Sequence, residues 1–315
     1  MATEGSTKAV VTALAANLGI AVTKFTAWLL TGSSSMLAEG VHSVADSSNQ
    51  ALLLLGGRRA RRVANTTHQF GYGRARYLYA FIVSIVLFSL GGLFALYEGY
   101  HKWSHPEPIT AWQWVPPTVL ALAMVMEAYA LHTAVKEANA VRGKQPWLQY
   151  VRKTRSPELP VILLEDTGAL LGLVFAMAGV SLTLVTGDGR WDAAGTAAIG
   201  VLLVVIAIFL AIEMGSMLLG EGALPEQHGA IEQALLGDGV ESVIHLRTLH
   251  LGPDEILVAA KIEVTRTDTA EEVATAIDDA EQRVRDAVTL RTQIYLEPDL
   301  RRSAGPGAGR AVGGE

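Results

Sequence analysis

Apolar residues run through the first two-thirds of the chain in blocks of about 20, the length a helix needs to cross a bilayer core. Six blocks meet that criterion, approximately Val10–Leu30, Ser34–Leu55, Tyr77–Glu98, Trp112–Thr133, Pro160–Thr183 and Ala193–Leu218. They predict six transmembrane helices. The links between them differ in charge. Gly56–Arg76 carries Arg58, Arg59, Arg61, Arg62, Arg74 and Arg76, and Ala134–Leu159 carries Lys136, Arg142, Lys144, Arg152, Lys153 and Arg155. The other links hold only Lys102 and Arg190. Because basic loops stay on the cytoplasmic side, this asymmetry predicts that both basic links and both termini face the cytoplasm.

After Gly222 the pattern changes to that of a soluble domain. "EQHGAIEQALL" has helical spacing, while "VESVIHLRTLHLG" and "EILVAAKIEVTR" alternate and are rich in β-branched residues. "TAEEVATAIDDAEQRVRDAV" is an amphipathic helix opened by Thr269 with Glu272 three residues on, a capping box. "RTQIYLEPD" reads as a last strand. The order α-β-β-α-β predicts a small open-faced α+β sandwich of ferredoxin-like type. The expected division is residues 1–222 for the membrane domain, 223–300 for a cytoplasmic dimerisation domain and 301–315 for a disordered Gly/Ala/Arg-rich tail.

Composition agrees with a membrane protein. Half of the 315 residues are hydrophobic and 18% are charged, where a soluble domain carries about a quarter. Mean hydropathy is +0.31. With no cysteine, disulfide scaffolds, thiolate zinc sites and cysteine catalysis are excluded. The net charge of −6 and the lack of a basic, aromatic-interleaved stretch speak against nucleic acid as a partner. The opening "MATEGSTKAV" has no charged n-region leading into a separate apolar run, so no cleaved signal peptide is expected.

Against this apolar background, "AEGVHSVADSSNQ" in the second block stands out. His42 and Asp46 are one helical turn apart on one face, and Glu39 lies three residues before His42 on roughly the same stripe. Each ionisable group in mid-bilayer costs about 2.5–3.5 kcal/mol on insertion scales, so the stripe needs a reason. One reason is polar pairing between helices. The other is a divalent-cation site, since neutral imidazole and carboxylate are both ordinary Zn²⁺ ligands. Ser43, Ser47, Ser48 and Asn49 extend the polar face. The fifth block supplies an adjacent acid pair in "LPVILLEDTGALLGL", Glu165 and Asp166, whose side chains point about 100° apart on a helix. One is expected to face the ion and the other a neighbouring helix. Glu127 in the fourth block is a further intramembrane acid that either joins the site or pairs structurally.

These residues carry a family resemblance. "KFTAWLLTGSSSMLAEGVHSVADSSNQALLLLG" resembles the first two helices of cation diffusion facilitators, and "HQFGYGRARYLYAF" resembles the pattern that follows their second helix. "RWDAAGTAAIGVLLVVIAIFLA" is similar to their sixth helix, and the α-β-β-α-β region to their cytoplasmic domain. The resemblance extends from about Val10 to Asp299. It implies export of Zn²⁺ or a similar divalent ion in exchange for protons, from a homodimer, through a site between the second and fifth helices. It places His42 and Asp46 at the second-helix ligand pair and Asp166 at the second member of the fifth-helix pair. The first member, usually His or Asp, is Ile162 here, and the "LLED" form resembles a zinc-transporter subgroup. The resemblance also aligns His68 with a loop ligand of some relatives, although Asn65 and Tyr72 stand at the companion positions and a solvated histidine is the plainer reading. His245, with His250 and Glu297, is a weaker ligand candidate in the C-terminal domain, where few of the usual histidines occur.

The expected mechanism follows from competition. Metal binds only deprotonated ligands, so protons and metal contend for His42, Asp46 and Asp166. His42 is the natural proton carrier, its unperturbed pKa of about 6.5 lying nearest neutrality. No ATP-binding motif is present, no cofactor is implied, and the expected driving force is a proton gradient across a bacterial inner membrane. One imidazole with carboxylates also suits Mn²⁺, Fe²⁺, Co²⁺ and Cd²⁺. The rival reading is a non-transporting scaffold or metal sensor on the same fold, which Ile162 favours slightly. An enzyme is not expected, as neither HExxH nor GxSxG occurs.

Overall fold

The computed structural model describes residues 3–300, with helix side chains from Asn17 onward; the expected tail 301–315 lies outside the described residues. The chain forms two compact units, one ending at Leu219 and the other beginning at Gly220.

In the first unit each apolar block corresponds to a helical segment that runs past the block's C-terminal end. These are α1 (Thr3–Thr31), α2 (Ser34–Ala60), the rod formed by α3 (Ala75–Val86) and α4 (Phe94–Ser104), α5 (Val115–Arg142), α7 (Glu158–Thr186) and α8 (Arg190–Leu219). A short α6 (Trp147–Lys153) sits in the second basic link. Among the described residues four helical spans are long and apolar enough to cross a membrane: Ala75–Ser104, Val115–Arg142, Glu158–Thr186 and Arg190–Leu219. α2 is nearly as long, at 27 residues, but its polar stripe dilutes its apolar content. Large apolar side chains such as Leu122, Val125, Tyr129, Val201, Val205 and Ile212 point outward, as helices in lipid require.

The core is built on small residues that let helices approach. A Cβ at Gly179 of α7 would stand 2.7 Å from the Trp191 carbonyl oxygen, and one at Gly195 of α8 would stand 2.8 Å from that of Phe175. Such close backbone contact is a main source of helix association where no hydrophobic effect operates. Between α3 and α4 the helix widens into a π turn over Leu87–Leu93. π turns cluster at functional sites. This one carries Gly91, whose position lies against Leu203 and close to the His42 ring.

The start of α2 is fixed by a distant carboxylate. Asp192, at the beginning of α8 and 1% exposed, accepts hydrogen bonds from the Ser34 amide at 2.7 Å, the Ser35 amide at 3.3 Å and the Ser33 and Ser34 hydroxyls at 3.1 Å each. The first amides of a helix lack partners and bear its positive end, so a buried anion there satisfies both demands. Asp192 is itself held by its own amide, which donates to Thr183 Oγ1 at 2.9 Å. α2 is thereby registered against the α7–α8 corner.

The second unit has the expected order: α9 (Pro225–Leu235), β1 (Ser242–Gly252), β2 (Glu255–Glu263), α10 (Ala270–Ala287) and β3 (Arg291–Asp299). The sheet order is β1-β2-β3, with β1 and β2 antiparallel and β2 and β3 parallel. This is one strand short of the full β-α-β-β-α-β unit. One face of β2, Ile256, Val258, Ala260 and Ile262, packs with Ile231 and Leu235 of α9 and Ala280 and Val284 of α10. The capping box forms: Thr269 Oγ1 accepts from the Glu272 amide at 3.3 Å, and the Thr269 amide donates to Glu272 Oε2 at 2.7 Å. The Thr269 amide and hydroxyl, both donating to Glu272 Oε2, hold that carboxyl below its usual range.

Candidate metal-binding site

The stripe on α2 faces inward. Glu39, His42, Ser43, Ser47 and Asn49 are buried, and Asp46 and Gln50 are half-buried. His42 Nδ1 lies 3.5 Å from Asp46 Oδ1, so the i,i+4 pair meets as its spacing predicts. Six buried atoms along this face have no hydrogen-bond partner among the described residues: Glu39 Oε1, His42 Nδ1 and Nε2, Asp46 Oδ1, Asn49 Oδ1 and Gln50 Oε1. The four oxygens and one of the two nitrogens of the neutral His42 ring can each offer a lone pair. Unsatisfied buried groups of this kind are costly, and concentration on one helix face marks a place where something else supplies the partner.

Three neighbouring helices bring charges to this face. α1 contributes Lys24, whose Nζ lies 2.9 Å from both Glu39 Oε2 and Ser43 Oγ. Lys24 and Glu39 are 1% and 0% exposed, so this ion pair is fully withdrawn from solvent. Breaking such a pair by removing one partner costs about 3–5 kcal/mol. The sequence reading passed over Lys24, although a lysine inside an apolar run is itself the signal of an intramembrane functional group.

α7 contributes the adjacent acids, and they divide. Glu165, 5% exposed, accepts a 2.7 Å hydrogen bond from Asn49 Nδ2. Asp166 is half-buried and interacts electrostatically with Glu127 of α5 and with Asp46. Because α7 packs against both α2 and α5, side chains 100° apart reach different neighbours. It is thus Glu165 that makes the direct hydrogen bond to the stripe, while Asp166 interacts electrostatically with both Asp46 and Glu127. Glu127, also half-buried, interacts in turn with Asp46, Lys24, His42 and Glu39.

The result is one polar cluster drawn from α1, α2, α5 and α7 inside the helical unit. In the present arrangement of helices, no three His, Asp or Glu side chains among the described residues converge at ligation distance. Ile162, one turn before Asp166, packs with Ala134, Ala138 and Leu163 and adds no donor.

The outlying candidates stand apart from this cluster. His68 is exposed and stacks on Tyr72 with ring centroids 4.3 Å apart. Asn65 Nδ2 donates to the Tyr72 hydroxyl at 2.8 Å, and Asn65 Oδ1 accepts from the His68 amide at 2.8 Å. These three positions do come together, closed on one another. In the second unit His245 is exposed and His250 buried on β1; five residues apart, they occupy opposite faces of the strand. Glu297 pairs with Lys261 at 3.0 Å.

Comparison with known proteins identifies the family. Residues 10–219 match the cation efflux transmembrane domain. The human mitochondrial proton-coupled zinc antiporter SLC30A9 is 33% identical over 263 residues, covering 82% of this chain and 46% of the relative. Metal tolerance protein C4 of Arabidopsis thaliana is 28% identical over 268 residues, covering 82% of this chain and 57% of the relative. The chain therefore spans about half the length of these two. The cation-efflux pump FieF of Pectobacterium atrosepticum is 26% identical over 283 residues, covering 89% of this chain and 88% of the relative. With its long apolar helices, its buried polar stripe and this match across two-thirds of its length, the chain is a multi-pass membrane protein and belongs to the cation efflux, or cation diffusion facilitator, family of transporters.

Proposed function

We propose that this protein exports a divalent metal ion, foremost Zn²⁺, from the cytoplasm in exchange for protons. The observation that carries this reading is the row of buried lone-pair atoms on α2 left without hydrogen-bond partners. Imidazole nitrogen and carboxylate and amide oxygen are the donors that a borderline-soft divalent ion takes. The ligands proposed are His42, Asp46 and Asp166, with Glu165 engaged by Asn49 and Glu39 engaged by Lys24. A movement of α7 against α2 would complete the set. Metal loading requires these groups to be deprotonated, and protonation from the other side expels the ion, which links the two fluxes. The names of the human and Pectobacterium relatives, a proton-coupled zinc antiporter and a cation-efflux pump, support the same reading.

In this reading all six long helices span a bacterial inner membrane. The basic links after α2 and around α6 lie on the cytoplasmic side with both termini, as the positive-inside rule requires. The α9–β3 unit serves as the contact between two copies.

Purified protein in sealed vesicles should accumulate Zn²⁺ when the interior is made acidic, and should discharge the pH gradient as it does so. Zn²⁺ accumulation that ignores the gradient would rule out exchange for protons. Binding without any accumulation would leave a non-transporting metal sensor.

A further inference from the structure

Lys24 is a buried cation in a site built to receive cations. Its ammonium is 2.9 Å from Glu39 Oε2 and 2.9 Å from Ser43 Oγ, one position from His42. The other Glu39 oxygen, Oε1, has no hydrogen-bond partner and occupies space left by Gly172 of α7, where a Cβ would come within 3.1 Å. The carboxylate is thus seated between α1 and α7 and turned to Lys24. His42, Asp46 and Glu127 all interact electrostatically with Lys24.

We propose that Lys24 sets the affinity of the transport site: its ammonium claims Glu39 and, as a tethered positive charge beside His42 and Asp46, weakens the hold on the transported ion so that it can leave. This rests on the α2–α7 site being the transport site. A transporter must bind its ion loosely enough for release, and Glu39, Asp46, Glu127, Glu165 and Asp166 gather more carboxyl groups around this site than one divalent ion requires. In a medium of low effective dielectric, one fixed positive charge several ångströms away opposes a divalent ion strongly. The tethered cation offsets one carboxylate and repels the ion, and neither effect requires Lys24 to change its charge or to touch the metal.

The test is equilibrium dialysis of ⁶⁵Zn²⁺ with the full-length protein in detergent at one fixed neutral pH, paired with uptake kinetics in vesicles. Lys24→Gln should bind Zn²⁺ at least about tenfold more tightly, lowering KM, while the maximal rate falls because release slows. Lys24→Arg keeps the charge and should restore the wild-type Kd, which loss of packing alone would not explain. Glu39→Gln, with Lys24 unopposed, should bind about tenfold more weakly, and adding Lys24→Gln to it should return the affinity toward wild type. If Lys24→Gln alone does not fold, the comparison of Glu39→Gln with the double variant decides. An unchanged or weaker Kd on removal of the lysine charge overturns the proposal, as does absence of Zn²⁺ binding in every variant. Binding by the wild type without uptake would instead defeat the transport reading, while the dialysis still decides what Lys24 does to affinity.

Discussion

Asp46→Ala is expected to reduce Zn²⁺ uptake to the level of protein-free vesicles. Asp46 faces His42 at 3.5 Å and is the carboxylate of the α2 stripe that no lysine or amide donor occupies. Removing it takes away a carboxylate ligand and half of the His42–Asp46 pair already in place. Changes one shell further out cost metal sites about 10–100-fold, so loss of a charged ligand should exceed that range. Folding should survive, because Asp46 Oδ1 makes no hydrogen bond among the described residues. The check is uptake at matched protein amount, with elution volume and melting temperature recorded alongside. Uptake within tenfold of wild type would remove Asp46 from the site.

The second large effect separates two neighbours. Asp166→Asn should abolish coupled uptake, while Glu165→Gln should retain it within about fivefold. Glu165 is occupied by the Asn49 amide at 2.7 Å, and a glutamine carbonyl can accept the same bond with a loss of about 1 kcal/mol. Asp166 interacts electrostatically with Glu127 and Asp46 and accepts no comparable hydrogen bond among the described residues, which leaves its carboxyl available to an ion. The measurement is the initial rate of Zn²⁺ uptake under an imposed pH gradient. The reverse ranking would make Glu165 the ligand and turn the Asn49 bond into the contact that the metal displaces.

The helices were legible because lipid imposes a single demand, about 20 apolar residues in a row. Their ends were not. The block Tyr77–Glu98 is helical to Ser104, and Trp112–Thr133 gives way to Val115–Arg142, since a helix continues into water where hydropathy gives no further sign. α6 was hidden for the same reason inside a link read by its charge; its Tyr150 and Val151 are buried with Leu163 of α7. In the C-terminal unit the alternation of Ile256, Val258, Ala260 and Ile262 and the Thr269–Glu272 box are local patterns, and they predicted β2 and α10 directly.

Within the site, the α2 stripe was readable from its 3.6-residue period. The orientation of Glu165 against Asp166 was not, because α7 is apolar on nearly every side and packs against α2, α5 and α8, so no polar face marks its direction. Lys24 was visible as a lone charge but had no partner in its own segment. Its pairing with Glu39 depends on how α1 and α2 pack. Asp192 lies some 158 residues from the helix it caps, and no local pattern announces such a bond.

The most direct test of the central claim is X-ray absorption at the zinc edge on full-length protein loaded with one equivalent of Zn²⁺. Wild type should show oxygen and nitrogen neighbours at about 2.0–2.1 Å, with outer-shell scattering from a single imidazole. His42→Gln should keep the oxygen neighbours and lose the imidazole signal. An imidazole signal that persists unchanged in His42→Gln would place the ion elsewhere and contradict a transport site on α2.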